Sequence, residues 1–287
     1  MLNIFKMDLY KMFKSKTFYA LIIALLIIVL SFSTLLRITL SMDYEKGKDS
    51  SFSLETKNSD MKTNDRGITE KEYYAIVEEM KDSMTVDEFI NFQYGSLIMG
   101  ILLSIFIAIF VCSESETGFI KNLIPIRNSR INLVLSKILV ILFFIIIQGA
   151  VAVIASIAAS FIVVGTIGKI PYEEIMKYMG LQMMLLMAFG ALMTLVSYLF
   201  RSKAITVTIG ILLSVNIHGQ LLGMLDEIIS TSKIKLAELS ITGSRGFIGQ
   251  DGLVGSNNSK TIITISIIYF VLYKVISIIR VKKMEVN

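Results

Sequence analysis

The sequence has no tryptophan, one cysteine, one histidine and two prolines among its 287 residues, and charged residues make up only 18%. A single cysteine excludes an internal disulfide framework, and a single histidine, His218, excludes a metal site with several histidine ligands. A soluble domain carries about 25% charged residues. The low charge, together with 54% hydrophobic residues, therefore excludes a disordered chain and most soluble enzymes.

Long apolar runs take the place of the missing charge. A helix needs about 20 mostly apolar residues to cross the hydrocarbon core of a bilayer. The runs are continuous rather than alternating, which favours helices over the strands of a barrel. They predict an all-α membrane protein that forms one transmembrane domain, 1–287. Its predicted spans are about 17–38, 87–113, 137–164, 178–200, 204–225 and 260–280.

The basic residues predict the orientation. With both termini in the cytoplasm, the segments on that side hold 13 basic and 4 acidic residues, and the other side holds 13 basic and 19 acidic ones. This is the asymmetry of the positive-inside rule. The long loops 41–86 and 226–259 are then extracellular, and the loop 114–136 is cytoplasmic. Lys274 interrupts the last span six residues before Arg280, and we expect it to snorkel to the surface.

The first sixteen residues, 1–16, predict an amphipathic helix in the membrane interface. Phe5, Leu9 and Phe13 lie on its apolar face, and Lys6 and Lys11 lie opposite or beside that face. Such a helix can simply anchor the chain to anionic headgroups, or it can also contact a cytoplasmic partner. The pattern alone does not separate these two alternatives.

The loop 114–136 holds the most informative segment. A short helix is predicted from about Glu116 to Leu123 and must end near Pro125, and Asn128 or Ser129 can cap the next helix. The result is a short helix with an apolar and a charged side, held between two spans. Such an element can act as a lever on both.

The loop and the start of the next span share one set of charged, small and polar residues. They are Glu114, Glu116, Gly118, Lys121, Asn122, Leu123, Ser129, Arg130 and Lys137. In this set the segment resembles the loop between spans two and three of ABC-2 type permeases, the membrane subunits of certain ATP-binding-cassette transporters. The resemblance departs at Phe119, where Thr is common, and at 125–128, where small residues are usual. The layout of an interfacial helix and six spans is also similar.

The resemblance implies that this loop is a coupling helix, which docks into a groove of an ATPase subunit. The implied contact residues are Glu114, Glu116, Gly118, Phe119, Lys121, Asn122, Leu123, Arg127 and Arg130. It also implies a second permease copy or a related permease as partner, a location in the bacterial cell membrane, and export of an amphipathic or hydrophobic cargo. The small antimicrobial-peptide exporters of Gram-positive bacteria are the nearest type.

The chain has no GxxxxGK[ST] phosphate loop, so we expect no enzymatic activity and no directly bound cofactor. ATP and Mg²⁺ would be bound by the partner ATPase. The alternative function is a membrane immunity protein that binds an extracellular peptide without transporting it.

Almost no charged residues lie within the spans. Asn216, His218 and Gln220 in span five could line a translocation path, or they could form hydrogen bonds between helices. Met183 and Met187 in span four could contact a hydrophobic cargo or face lipid.

Overall fold

The computed structural model describes residues 2–54, 86, 89–90, 97–116, 129–164, 172–215, 217–229, 240–241 and 259–282. These residues contain no strand, which confirms the predicted all-helical class. The helices are α1 (Leu2–Lys14), α2 (Lys16–Leu54), α3 (Leu97–Glu116), α4 (Ser129–Val164), α5 (Tyr172–Phe200), α6 (Lys203–Ser214), α7 (Ile217–Ile229) and α8 (Ser259–Lys282).

Four helices in the described part of the chain are long and apolar enough to cross a membrane. The spanning segments are Lys16–Thr39, Ile131–Val163, Tyr172–Phe200 and Lys260–Val281. Two shorter apolar helices, Ile98–Glu114 and Lys203–Ser214, accompany them. Several apolar helices of this length define a multi-pass membrane protein.

The predicted span 204–225 contains two helices rather than one. Helix α6 ends at Ser214, and α7 begins at Ile217. Val215 forms a turn between them, and its N–H still donates to the Ile211 carbonyl at 2.9 Å. The sequence has neither glycine nor proline at this turn. An apolar run without such residues gives no signal for the interruption.

The chain divides into two compact units. The first comprises Met1–Leu25, Asn91–Val151 and Tyr172–Asn287, and the second comprises Leu26–Ile90 and Ala152–Pro171. In the second unit, five small residues of α4 recur at four-residue spacing and are all buried, as on a close-packing helix face. They are Ala152, Ala155, Ser156, Ala159 and Ser160.

In the first unit, α3 packs against α5 and α6, and α8 packs against α5. Gly210 of α6 sits directly against Ser104 of α3, and an added Cβ there would also lie 2.9 Å from Cε of Met193. The two helices can come this close only because residue 210 has no side chain. Gly190 of α5 has a looser fit, with Cγ2 of Ile141 3.0 Å from an added Cβ.

A two-residue turn joins α5 to α6. Arg201 adopts a left-handed conformation there, with φ at 51°, and its N–H donates to the Ser197 carbonyl at 3.0 Å. This closes the end of α5 in the way that glycine usually does. The turn brings Lys203, the first residue of α6, close to the end of α3.

Lys274 of α8 differs from the expected snorkelling side chain. Only 6% of the residue is exposed, and its Nζ has no hydrogen-bond partner among the described residues. It lies on the side of α8 that also buries Ser266, Ser277 and Val281. The prediction was wrong because distance along the helix to Arg280 says nothing about which side of α8 packs against its neighbour.

Candidate functional site

A buried lysine, Lys137 of α4, is the centre of the candidate site. Its ammonium group donates to Oε1 of Glu114 at 2.6 Å and lies 3.0 Å from Oδ1 of Asp8. The side chains of Lys137 and Asp8 are each 1% exposed, and that of Glu114 is 8% exposed. Because a buried charge is costly unless it is paired, the three groups depend on one another.

Two more side chains complete this ionic cluster of Asp8, Lys11, Glu114, Ser136 and Lys137. The Ser136 hydroxyl donates to Oδ2 of Asp8 at 2.5 Å, and the Lys11 ammonium donates to Oε1 of Glu114 at 3.3 Å. Two carboxylates therefore face two ammonium groups, and the formal charges balance. Balanced, hydrogen-bonded charges are the condition under which a buried ionic group is tolerated.

Aromatic rings border the ionic cluster on one side. The ammonium of Lys137 lies 4.2 Å from the centroid of the Phe110 ring, within the range of a cation–π interaction. Phe106 stacks on Phe144 with 3.9 Å between ring centroids, and Phe18 meets Phe144 edge-on. These rings place apolar surface beside the charged groups, where a low local dielectric strengthens electrostatic interactions.

A second ion pair extends the site to α6. The Lys203 ammonium lies 2.6 Å from Oε2 of Glu116, and both side chains are about two-fifths exposed, at 41% and 43%. Glu116 is the last residue of α3. The interaction between Glu116 and Lys203 is therefore weaker than those of the buried cluster, since water screens it. It nevertheless connects α3 to α6.

Together these contacts join α1, α3, α4 and α6 around one segment of the chain. Glu114 and Glu116 lie at the end of α3, where the loop begins, and Lys137 lies about 12 Å along α4 after it. Lys11 of α1 contacts Glu114 at the end of α3, and Asp8 of α1 contacts Lys137 of α4. A displacement of the loop would therefore also displace α1, α3, α4 and α6, which these contacts connect.

The structure brings together some of the residues predicted for coupling. Glu114 belongs to the ionic cluster and Glu116 to the pair with Lys203. The backbone of Arg130 lies in the first turn of α4, which begins at Ser129, one of the two predicted caps. The other six lie outside the described residues. They are Gly118, Phe119, Lys121, Asn122, Leu123 and Arg127.

The residues predicted for the interfacial helix differ in their burial on α1. Phe5 and Leu9 are half-buried, and Phe5 lies 5.8 Å from the ring of Phe143. Phe13 is exposed but meets Phe18 edge-on at 5.5 Å. Lys6 is exposed, whereas Lys11 turns towards Glu114. The apolar face is thus only partly covered by the rest of the first unit.

The residues predicted for a translocation path remain apart from the ionic cluster. Met183 and Met187 are half-buried on α5, and Gln220 is exposed on α7. Asn216 lies outside the described residues, and only the backbone of His218 is described, as part of α7. Nothing in the described contacts joins these residues to one another.

Asp8 and Ser136 are the functional residues that the sequence reasoning missed. Asp8 is the only acidic residue in 1–16, and it lies three residues after Phe5 and four before Met12. That spacing places a carboxylate on the buried side of a basic helix. An acid in such a position is a signal for a buried cation elsewhere in the chain.

The described residues hold no group of three or more histidine, cysteine or acidic side chains that could bind a metal ion. Cys112 is buried, and its sulfur lies 3.6 Å from the Thr206 hydroxyl. This contact adds to the packing of α3 on α6.

The structure is that of a helical membrane protein in which the ionic cluster joins α1, α3 and α4 beside the loop 114–136. The chain belongs to the family of ABC-2 family transporter proteins, whose model matches residues 68–216. That match covers just over half of the chain and includes the loop 114–136. No curated protein matches the chain. Members of the family are membrane subunits without catalytic activity of their own, and they normally work with an ATP-binding-cassette ATPase.

Proposed function

We propose that this chain is the transmembrane subunit of an exporter and couples ATP hydrolysis by a separate ATPase subunit to the movement of an amphipathic or hydrophobic cargo. ATP and Mg²⁺ bind in the ATPase. The membrane domain crosses the bacterial cell membrane six times with both termini in the cytoplasm, and two permease subunits work together. The cargo is a peptide, an antibiotic or a lipid.

The observation that supports coupling is the ionic cluster at the two ends of the loop 114–136. Glu114 before the loop and Lys137 after it are 2.6 Å apart, and both contact α1. Two helices held this closely beside the loop move together when the loop between them is displaced. The pair between Glu116 and Lys203 passes the same displacement to α6.

The proposed mechanism starts when ATP binding closes the ATPase pair. The coupling residues of the loop follow the ATPase surface, and the ends of α3 and α4 tilt with them. Because Asp8 and Lys11 bind the same ends, α1 moves along the membrane surface with the bundle. The tilt changes the side of the membrane to which the cargo path opens.

Substitutions in the loop and in the ionic cluster should have separable effects. The chain is co-expressed with a candidate ATP-binding-cassette ATPase from the same genome, and both association and cargo-stimulated ATPase activity are measured in proteoliposomes. Phe119→Ala and Lys121→Ala should abolish association. Glu114→Gln should leave association intact and lower the stimulation, because the loop still docks but no longer moves α1 and α4 as a unit.

The exposed pair Glu173 and Lys177 supplies a matched control. Glu173→Gln also neutralises one acid of an ion pair, but 83% of its side chain is exposed, so neither readout should change. The proposal fails if the ATPase does not associate with the unmodified chain. Capture of an extracellular peptide without any ATPase would instead support an immunity protein.

A further inference from the structure

A cleft of about 320 Å³ opens beside the ionic cluster, between the end of α1, the start of α2 and the last three turns of α3. This volume lies at the lower end of the range for ligand sites, about 300–1,000 Å³. Its lining residues are Lys11, Ser15, Thr17, Phe106, Ile109, Phe110, Ser113 and Glu114.

The lining of the cleft changes from apolar to polar along one direction. Phe106, Ile109 and Phe110 line one end, and Ser113 and Glu114 line the other. These residues recur at helical spacing along one side of α3, and the distance along the helix from 106 to 114 is about 12 Å. The polar end meets Lys11, Ser15 and Thr17, where α1 turns into α2.

A membrane phospholipid has the same polarity in the same direction, because its headgroup lies at the surface and its chains point into the bilayer. The junction of an interfacial helix with a spanning helix lies at the depth where headgroup and chain meet. A soluble anion would leave the three apolar side chains without a partner. A fully apolar ligand would match only the end of the cleft that Phe106, Ile109 and Phe110 line.

The charges around the cleft favour an anionic headgroup. Lys11 lines the polar end with 36% of its side chain exposed, and Lys14 and Lys16 follow in the next five residues. Glu114 also lines the cleft, but its Oε1 already accepts from Lys137 at 2.6 Å. The carboxylate therefore does not oppose a phosphate as an unpaired charge would.

We infer that this cleft binds one anionic phospholipid, with its phosphate on Lys11 and the hydroxyls of Ser15 and Thr17, and one acyl chain against Phe106, Ile109 and Phe110. The phosphate competes with Glu114 for Lys11. A bound lipid thus draws α1 towards the headgroup layer and leaves Glu114 to Lys137 alone. The site requires membrane insertion but not the ATPase, so it can fail while the proposed coupling holds, and the reverse.

The absence of tryptophan makes a direct test available. Ile109→Trp places a single fluorophore in the cleft, and Phe200→Trp places one at the end of α5 on an exposed side chain. Phe200 is a matched reference, since the α5–α6 turn lies at the same end of the bundle as Glu116. Both variants are reconstituted in phosphatidylcholine vesicles that contain a minor fraction of chain-brominated phosphatidylglycerol or phosphatidylcholine.

Brominated phosphatidylglycerol should quench the cleft tryptophan with about five-fold higher apparent affinity than brominated phosphatidylcholine, as one lysine contact with an anionic headgroup implies. Lys11→Gln should abolish that preference. The reference tryptophan at 200 should respond equally to both lipids. Equal quenching at 109, or a preference that survives Lys11→Gln, overturns the proposal.

A second measurement does not depend on the tryptophan variants. Native mass spectrometry of the detergent-purified chain should show one retained phosphatidylglycerol, which Lys11→Gln loses and the Lys6→Gln control keeps. Lys6 lies on the same helix and is exposed away from the cleft. Displacement of the lipid by soluble glycerol phosphate alone would show that the site takes a free phosphate and would overturn the assignment to a lipid.

Discussion

Lys137 and Lys274 are both buried lysines near the ends of apolar helices, yet their surroundings differ. Lys137 lies between Asp8 and Glu114 and above the Phe110 ring. Lys274 is 6% exposed and has no hydrogen-bond partner among the described residues. The ammonium group of Lys137 is therefore paired with carboxylates of α1 and α3. The ammonium group of Lys274 loses its hydration and gains no such pair among the described residues. Burial of a charge costs free energy, and counter-charges buried with it offset that cost at Lys137 but not, among the described residues, at Lys274.

Lys137→Met should have the largest effect. It removes the shared cation and leaves Asp8 and Glu114 buried side by side, which should lower the free energy of unfolding by about 3–5 kcal/mol. Denaturant unfolding of the purified chain in detergent micelles measures this loss. The triple variant Asp8→Asn, Glu114→Gln, Lys137→Met should recover most of the stability, because it removes the three buried charges, and Lys11, which loses Glu114, has 36% of its side chain exposed. An unchanged stability of Lys137→Met would contradict the ionic cluster.

Lys274→Met should act in the opposite direction. The methionine keeps the length of the side chain and removes a buried ammonium without a partner, so the free energy of unfolding should rise by about 1–3 kcal/mol. The same denaturant series measures the gain. A clear loss of stability would mean that Lys274 has an acidic partner beyond the described residues, and the contrast with Lys137 would disappear.

A carboxylate placed beside Lys274 should supply the partner that it lacks. Ser277 lies three residues later on the same buried side of α8, so Ser277→Asp puts opposite charges at helical contact distance. A double-mutant cycle with Lys274→Met should give a favourable coupling free energy of about 1 kcal/mol. Ser277→Asn is the matched control and should couple less, since it has no charge. Zero coupling would mean that the two side chains do not meet.

The smallest effect is expected at the exposed pair of α5. Glu173 and Lys177 form an i,i+4 contact at 2.7 Å, but water surrounds both groups, with 83% and 58% of the side chains exposed. Lys177→Met should therefore leave the unfolding midpoint unchanged within error. A loss as large as that of Lys137→Met would show that burial is not what separates the two lysines.

Hydropathy was sufficient to predict the helical class, and the residue pattern of the loop 114–136 supported the resemblance to the family, because both are local properties of the chain. The pairing of Asp8 with Lys137 could not be predicted in this way, since it joins helices far apart in the sequence. The turn at Val215 gave no signal because no helix-breaking residue marks it. The burial of Lys274 depends on which side of α8 packs against α5, and six residues of spacing to Arg280 do not contain that information.

The close approach of α6 to α3 also depends on contacts between residues far apart in the sequence. Gly210 was one glycine among 18 in the sequence, and only the position of Ser104 opposite it gives that residue a role. The small residues at 152, 155, 156, 159 and 160 were recognisable because their spacing repeats along one helix. A single glycine has no such repeat, so its packing role becomes visible only in three dimensions.

The distance in sequence between Ser136 and Asp8 also sets an order of events during synthesis. Ser136 donates to Asp8 across 128 residues of chain. At ribosomal speeds of about 5–20 residues per second, the carboxylate of Asp8 waits roughly 6–26 s for its partners to be made. During that interval Asp8 cannot be buried at low cost. The N-terminal helix can therefore dock at low cost only after the start of α4 has been made, so the ionic cluster forms after the first 137 residues are synthesised and not while α1 emerges.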